Sequence, residues 1–216
     1  MVSKRLKKNG GRVMVLVLDD ARAALGSLGG ERLHPRYTPG PSEAMMASLK
    51  LHHAQSEQDF ADVHALAVTA MGAKIASLEE IKRVDAMTGA TIWMVRRNDA
   101  VTGFLATLAL TAEGVAALAD GSFDAASIDE KWVAPLGQPL AGFYCWCYAG
   151  KDQVSRGALV LALRTLIDRH FPDLPFFGRD STEAGARIMR HLGFFPFDSV
   201  EHLYWRCANA MQDVAA

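Results

Sequence analysis

Between Gly150 and Gly157 the sequence reads Gly-Lys-Asp-Gln-Val-Ser-Arg-Gly, a polar turn set between an aromatic strand candidate and a leucine-rich helix candidate. A strand that ends in such a turn and feeds straight into a helix aims unpaired backbone N–H groups, and the positive end of the helix dipole, at one point, which suits a phosphate. On that reading the N–H groups of Ser155, Arg156, Gly157 and Ala158 hold phosphate oxygens, Gly157 permits close approach of the ligand, and Lys151 and Arg156 add charge. The other reading of the same residues is a plain strand-to-helix turn, with Ser155 as N-cap and Arg156 in water. Just upstream, alternation in Gly142-Phe-Tyr-Cys-Trp-Cys-Tyr-Ala149 puts Tyr144, Trp146 and Tyr148 on one face of a strand and Cys145 and Cys147 on the other. A phenol in that position can give a proton to a leaving group. The two thiols have three readings: core packing, metal ligation with two further partners drawn from Cys207 and scattered histidines, or, at Cys147 beside a helix start, a nucleophile.

The elements that position these residues follow from periodicity and caps. Leu49 and Leu51 alternate with polar neighbours as in a half-buried strand. Ser56 with Asp59 signals a helix start, and Phe60, Val63, Leu66, Ala67, Ala70 and Met71 recur at helical spacing on one face. Ser77 with Glu80 signals a second helix through Leu78, Ile81, Val84 and Met87. Two β-rich runs, 91–95 and 101–110, flank Arg96-Arg97-Asn98-Asp99-Ala100 and predict an antiparallel hairpin. Residues 111–139 are longer than a hairpin loop needs; they hold a short helix at 111–120 and an irregular stretch, the kind of excursion that covers a site or an interface. Leu159, Leu161, Leu163, Leu166 and Ile167 predict one apolar helix side, stopped by His170 and Pro172. Two more strands are expected at 195–199 and 201–207.

This order resembles the GNAT superfamily of acyl-CoA-dependent N-acyltransferases over residues 49–205. In that family a strand runs into an Arg/Gln-x-x-Gly-x-Gly/Ala turn that holds the coenzyme A pyrophosphate. Setting the first motif glycine on Gly157 puts Val154 in the Arg/Gln slot and Leu159 in the last Gly/Ala slot, so one marked position of the three matches. Ser181-Thr-Glu-Ala-Gly-Ala-Arg-Ile-Met-Arg-His-Leu-Gly-Phe194 is similar to the family helix that closes with Leu-Gly-Phe, with Thr182 for a common Asn and Met189 for a common Tyr. That Tyr often serves as general acid, and the resemblance therefore moves the role to Tyr148, or to Tyr144.

What the resemblance implies is an α/β (α+β) domain on a mixed, mostly antiparallel sheet with helices on both faces, using acetyl-CoA or another acyl-CoA and no metal. The implied cofactor residues are Ala149, Lys151, Val154, Ser155, Arg156, Gly157 and Ala158. An unknown amine attacks the thioester directly, and a backbone N–H near Tyr148 or Ala149 polarises its carbonyl. Asp129 or Glu130, through water, is a candidate base. Two alternatives stand beside this: an enzyme of the N-acyl amino acid or autoinducer synthase type, which takes its acyl group from acyl carrier protein, and a silent domain that binds acyl-CoA or a protein. A homodimer is left open.

Composition sets the frame. Half of the 216 residues are apolar, enough for one well-buried domain, and a net charge of −1 argues against a protein that coats nucleic acid or an anionic membrane. Three cysteines make no paired framework, so a reducing compartment, the cytoplasm, is expected. Lys4-Arg5-Leu6-Lys7-Lys8 followed by Val13–Leu18 looks like an export signal, but Asp19 and Asp20 end the apolar run too early. Gly and Pro over 26–42 read as a linker. The expected organisation is an extension over 1–44, the domain over 45–209 and a tail over 210–216, with Met45-Met46 marking a second candidate translation start.

Overall fold

The computed structural model describes residues 40–207 apart from 73, 74 and 90. The chain divides into two units, Met1–Arg32 and Leu33–Ala216, and every described residue belongs to the second. The basic cluster at 4–8, the apolar run at 13–18, most of the linker and the tail at 210–216 lie outside the described residues.

The described residues form six helices and one seven-stranded sheet. In chain order they are α1 (Gly40–Ser48), β1 (Leu51–His53), α2 (Glu57–Met71), α3 (Leu78–Thr88), β2 (Ile92–Arg97) and β3 (Ala100–Leu110). Then come α4 (Ala112–Asp120), β4 (Gly142–Gly150), α5 (Gln153–Thr165), β5 (Phe176–Arg179), α6 (Glu183–His191), β6 (Phe195–Pro196) and β7 (Leu203–Arg206). The sheet order is β1-β2-β3-β4-β5-β7-β6, and every neighbouring pair is antiparallel except β4 and β5. This is the mixed, mostly antiparallel sheet with helices on both faces that the resemblance implies.

One face carries α1, α5 and α6, which bury Met45, Met46, Leu159, Leu163, Ala186 and Met189 against Phe143 and Phe176. The opposite face carries α2 and α3, whose Phe60, Val63, Leu66 and Ile81 pack on Ile92, Met94 and Phe104. α1 runs across residues 44 and 45 with Met45 and Met46 buried, so a cut at Met45 falls inside a helix. Leu161 departs from its expected side: it is 51 % exposed, because two residues beyond Leu159 is about 200° around a helix. Past Thr165 the helix relaxes into a π-helical turn, Leu166–His170, before Pro172.

Local chemistry sets the boundaries. Ser56 and Asp59 form the reciprocal capping box: the Asp59 N–H donates to the Ser56 hydroxyl (3.1 Å), and the Ser56 N–H donates to the Asp59 carboxylate (2.9 Å). At α3 the Ser77 hydroxyl accepts from the Glu80 N–H, but the Glu80 carboxylate turns to Arg83 and the Ile128 N–H instead, tying the excursion to this helix. The β2–β3 turn is Asn98-Asp99, both at positive φ (49° and 61°), the left-handed pair a two-residue hairpin requires.

Burial pushes the Asp59 carboxyl up, yet the N–H groups of Gln55 and Ser56, the Ser56 hydroxyl and the Arg96 guanidinium outweigh it and hold the group at about 2. A folded-state pKa below the unfolded value contributes stability that is present above about pH 4 and lost as pH falls towards 2. Asp59→Asn is therefore expected to lower stability at pH 7 by ~1 kcal/mol, discounted for partial solvation, and to match the parent near pH 2. Denaturant titration of both proteins across that window checks it; a difference that does not shrink on acidification would contradict it.

Candidate active site

β4 and β5 are hydrogen-bonded neighbours only over Phe143↔Phe176, Tyr144↔Phe177 and Cys145↔Gly178. β5 then ends at Arg179, and the Thr182 hydroxyl caps α6 through the Gly185 N–H (3.0 Å), turning the chain away. β4 continues to Gly150 with β3 on one edge and, among the described residues, no strand on the other. A strand edge released in this way presents backbone donors and acceptors to whatever enters beside it. The space is a cleft of about 220 Å³ between the β4 edge, including Tyr148, Ala149 and Gly150, the start of α5 at Arg156, and α6 at Ile188 and Met189. Met189, in the slot where the resembled family has its tyrosine, is 3 % exposed and lines this wall.

A β-bulge changes which side chains face the cleft. The β3–β4 register runs Ala106↔Cys147 and then Thr107↔Cys145, leaving Trp146 as an extra residue. An inserted residue reverses the alternation beyond it. Cys145 and Cys147 therefore do not share a face: Cys145 packs in the core of the α5–α6 side, Cys147 in that of the α2–α3 side. Tyr144 and Tyr148 are separated by the same inversion. Tyr144 meets Phe123 edge-on at 5.4 Å beneath the excursion, while Tyr148 packs beside α5 and α6 and lines the cleft. The Trp146 indole N–H donates to the Ala125 carbonyl (2.8 Å), so the excursion covers the bulge.

The start of α5 also differs from expectation. Its N-cap is Asp152, not Ser155, and the carboxylate accepts the Ser155 N–H at 2.8 Å. The Arg156 N–H is bonded to the Asp152 carbonyl (3.0 Å), the Lys151 N–H to Thr102, and Gly157 and Ala158 lie inside the helix, where backbone N–H groups are taken by the preceding turn. Asp152 begins the helix three residues early because it is as good a cap as Ser and its charge complements the helix dipole. Hence Ser155, Arg156, Gly157 and Ala158 do not offer the four free N–H groups expected of them. Ser155 is instead fully buried, with its hydroxyl donating to Thr102 (2.9 Å). Val154 is 67 % exposed, and Arg97 approaches the Asp152 carboxylate at 3.5 Å.

Electrostatics sort the remaining candidates. Burial pushes both the Cys145 and the Cys147 thiol up to about 12, so each is a neutral thiol at pH 7 and the nucleophile reading of Cys147 fails. Burial, reinforced by the neighbouring cysteines, raises Tyr148 to about 12; burial raises Tyr144 further, against the opposing charge of Arg179. Asp129 is bound to Lys131 (2.9 Å) and Glu130 to Arg83 (3.0 Å), and neither lines the cleft.

Residues to which the sequence assigned no role also stand here: Arg179 and Ser181 line the cleft, and Asp180 between them lines an adjoining cavity. The usable signal is a buried strand, Phe176-Phe177-Gly178, that breaks into charge at its carboxyl end, where α/β sheets place ligands.

Sheet order, the single parallel pair and the splay that follows it define a GNAT-like fold with its cleft at the β4–β5 fork. No protein-family model and no curated protein matches the chain. A solved structure it resembles is a protein from Staphylococcus aureus Mu50 described as a "putative acetyltransferase", at 14 % identity and a TM-score of 0.47, covering 73 % of this chain and 98 % of that one. A likeness this loose speaks to neither substrate nor mechanism. No described helix is long and apolar enough to cross a membrane.

Proposed function

We propose that this chain is an acyltransferase that holds an acyl thioester in the β4–β5 cleft and passes the acyl group to an amine. The observation that carries the reading is the released edge of β4 from Trp146 to Gly150, because the amide groups of a pantetheine arm can bond to it as an added strand would. The amine nitrogen attacks the thioester carbonyl, the C–N bond forms, the C–S bond breaks and a thiol leaves. A backbone N–H of the same edge, near Tyr148 or Ala149, takes up the charge that develops on the carbonyl oxygen. The Tyr148 phenol hydrogen-bonds the departing sulfur. Asp180, which lines the adjoining cavity and accepts from His202 (2.7 Å), passes the amine proton towards solvent.

The donor is acetyl-CoA or another acyl-CoA in the first instance, with Lys151 and Arg156 as its cations. Asp152 favours the second reading, an acyl group delivered on a carrier protein: its carboxylate occupies the helix start that a pyrophosphate would take, and a carrier's phosphopantetheine brings one phosphate in place of coenzyme A's three. The experiment is thiol release from acetyl-CoA and from acyl carrier protein with a panel of amines. Release from either donor supports acyl transfer; its absence with both, alongside retained binding of acetyl-CoA, is the result expected of a silent binding domain.

Gly157 tests where the phosphates lie. A Cβ built there meets nothing within 4 Å and the residue is helical, so Gly157→Ala is expected to stabilise the fold by ~0.5–1 kcal/mol, raising Tm by about 1–4 °C. The same methyl crowds a phosphate held against the first turn, and binding of acetyl-CoA by calorimetry should weaken. Unchanged binding would remove Gly157 from the site.

A further inference from the structure

A second cavity, about 170 Å³, lies on the α2–α3 side of the sheet, walled by Val63, Ile75, Ile81, Ile92 and Phe104. It adjoins the thioester cleft: Met71, Trp146, Cys147, Arg179 and Ser181 line both. An engineered apolar cavity of about 150 Å³ holds benzene, so this one has room for a side chain the size of Leu, Met or Phe. Its charged groups are two. Asp180 is already bonded to His202 at 2.7 Å. Arg179 has no hydrogen bond or ion pair among the described residues, and its Nε is sealed from solvent without an acceptor. Arg179 lines both cavities, and a guanidinium with no anionic partner beside an apolar cavity calls for an anion there; a carboxylate matches its fork.

Resting on the acyl-transfer reading, we propose that the acceptor is an α-amino acid with an apolar side chain, its carboxylate on Arg179 and its side chain in the α2–α3 cavity. The α-nitrogen, one carbon from the carboxylate, then falls on the cleft side of the passage, beside the bulge at Trp146. It forms the new C–N bond as the thioester C–S bond breaks; the products are an N-acyl amino acid and a free thiol, and the proton lost by nitrogen leaves through Asp180. A donor's acyl chain filling the same cavity would leave Arg179 without its anion, which is why the acceptor is the better occupant.

The test compares leucine, methionine and phenylalanine with leucinamide and 3-methylbutylamine, each with acetyl-CoA and with acyl carrier protein. The expected kcat/KM for leucine exceeds that for leucinamide by about 10²-fold, the scale of a lost charge-assisted hydrogen-bonded pair. Arg179→Gln should raise KM for leucine far more than it lowers kcat, and narrow its preference over leucinamide. Ile81→Phe, which fills the cavity, should cut kcat/KM for leucine at least tenfold more than it cuts that for glycine, so that the preference for leucine over glycine narrows. Amides or simple amines that react as well as leucine, or an unchanged KM in Arg179→Gln, overturn the inference while leaving acyl transfer standing. Calorimetry of leucine without any donor separates the two ideas: binding lost in Arg179→Gln supports the acceptor site whatever the turnover, and no binding to the parent protein overturns it.

Discussion

Replacing Tyr148 by phenylalanine is expected to lower acyl transfer to an amine by about 10²-fold, with binding of the acyl donor nearly unchanged. The residue gains this weight because Met189 lines the cleft where a tyrosine stands in the resembled family, and a thioether donates no proton. The bulge at Trp146 turns Tyr148, and not Tyr144, to the face of the sheet that lines the cleft. A phenol held at about 12 is a poor acid towards a thiolate, whose conjugate acid lies near ~8.5, so Tyr148 acts by hydrogen-bonding the developing sulfur charge and water completes the transfer. Such a bond to a charged group is worth ~3 kcal/mol at most, which sets the hundredfold ceiling. A group that loses its proton only near pH 12 also predicts no fall in rate on its account between about pH 7 and 10. Thiol release by the parent and Tyr148→Phe across that range measures both. Equal turnover would eliminate the residue, and an alkaline limb below pH 10 that vanishes in the variant would show a far more acidic phenol than its burial allows.

The largest effect on stability is expected at Gly114. A Cβ built there would lie 2.1 Å from the Trp132 carbonyl oxygen and 2.9 Å from its carbon, and neither atom can rotate away because both belong to the backbone. Gly114→Ala must therefore push α4 off the 3₁₀ turn Glu130–Trp132, where the Thr111 N–H donates to the same carbonyl and Trp132 stacks on Phe123 at 4.9 Å. Overpacking of this kind costs about 3 kcal/mol, a fall in Tm of about 10 °C for a chain this size. Since Phe123 also rests on Tyr144 and Ala125 holds Trp146, the cover over the second cavity should loosen with it. Thermal melting of the variant tests this, and a loss under about 3 °C would mean that the excursion is not anchored at Gly114.

What the sequence disclosed and what it hid divide along the range of the forces involved. The capping box at Ser56, the start of α3 at Ser77 and the hairpin around Asn98-Asp99 are local, each written within four residues, and the order of elements followed from them. The bulge at Trp146 is not local: it exists only in the pairing of β4 with β3, and it reverses the faces that alternation assigns to Cys147 and Tyr148. At α5 two caps competed within four residues, and choosing Ser155 over Asp152 displaced the helix start and, with it, the expected set of free N–H groups. Arg179 stayed hidden because its meaning depends on what surrounds it: only the sheet's splay shows a guanidinium standing between two cavities without a partner.

The central claim is that an acyl thioester lies along the free edge of β4. Backbone hydrogen exchange, measured residue by residue with and without acetyl-pantetheine, addresses it most directly, since this probe carries the thioester and the amide arm but no phosphate. Slowed exchange at amides within 146–150, with no change in β1 or β2, is the result this account predicts. Unaltered exchange along that edge at saturating probe, or protection confined to another part of the sheet, would contradict it.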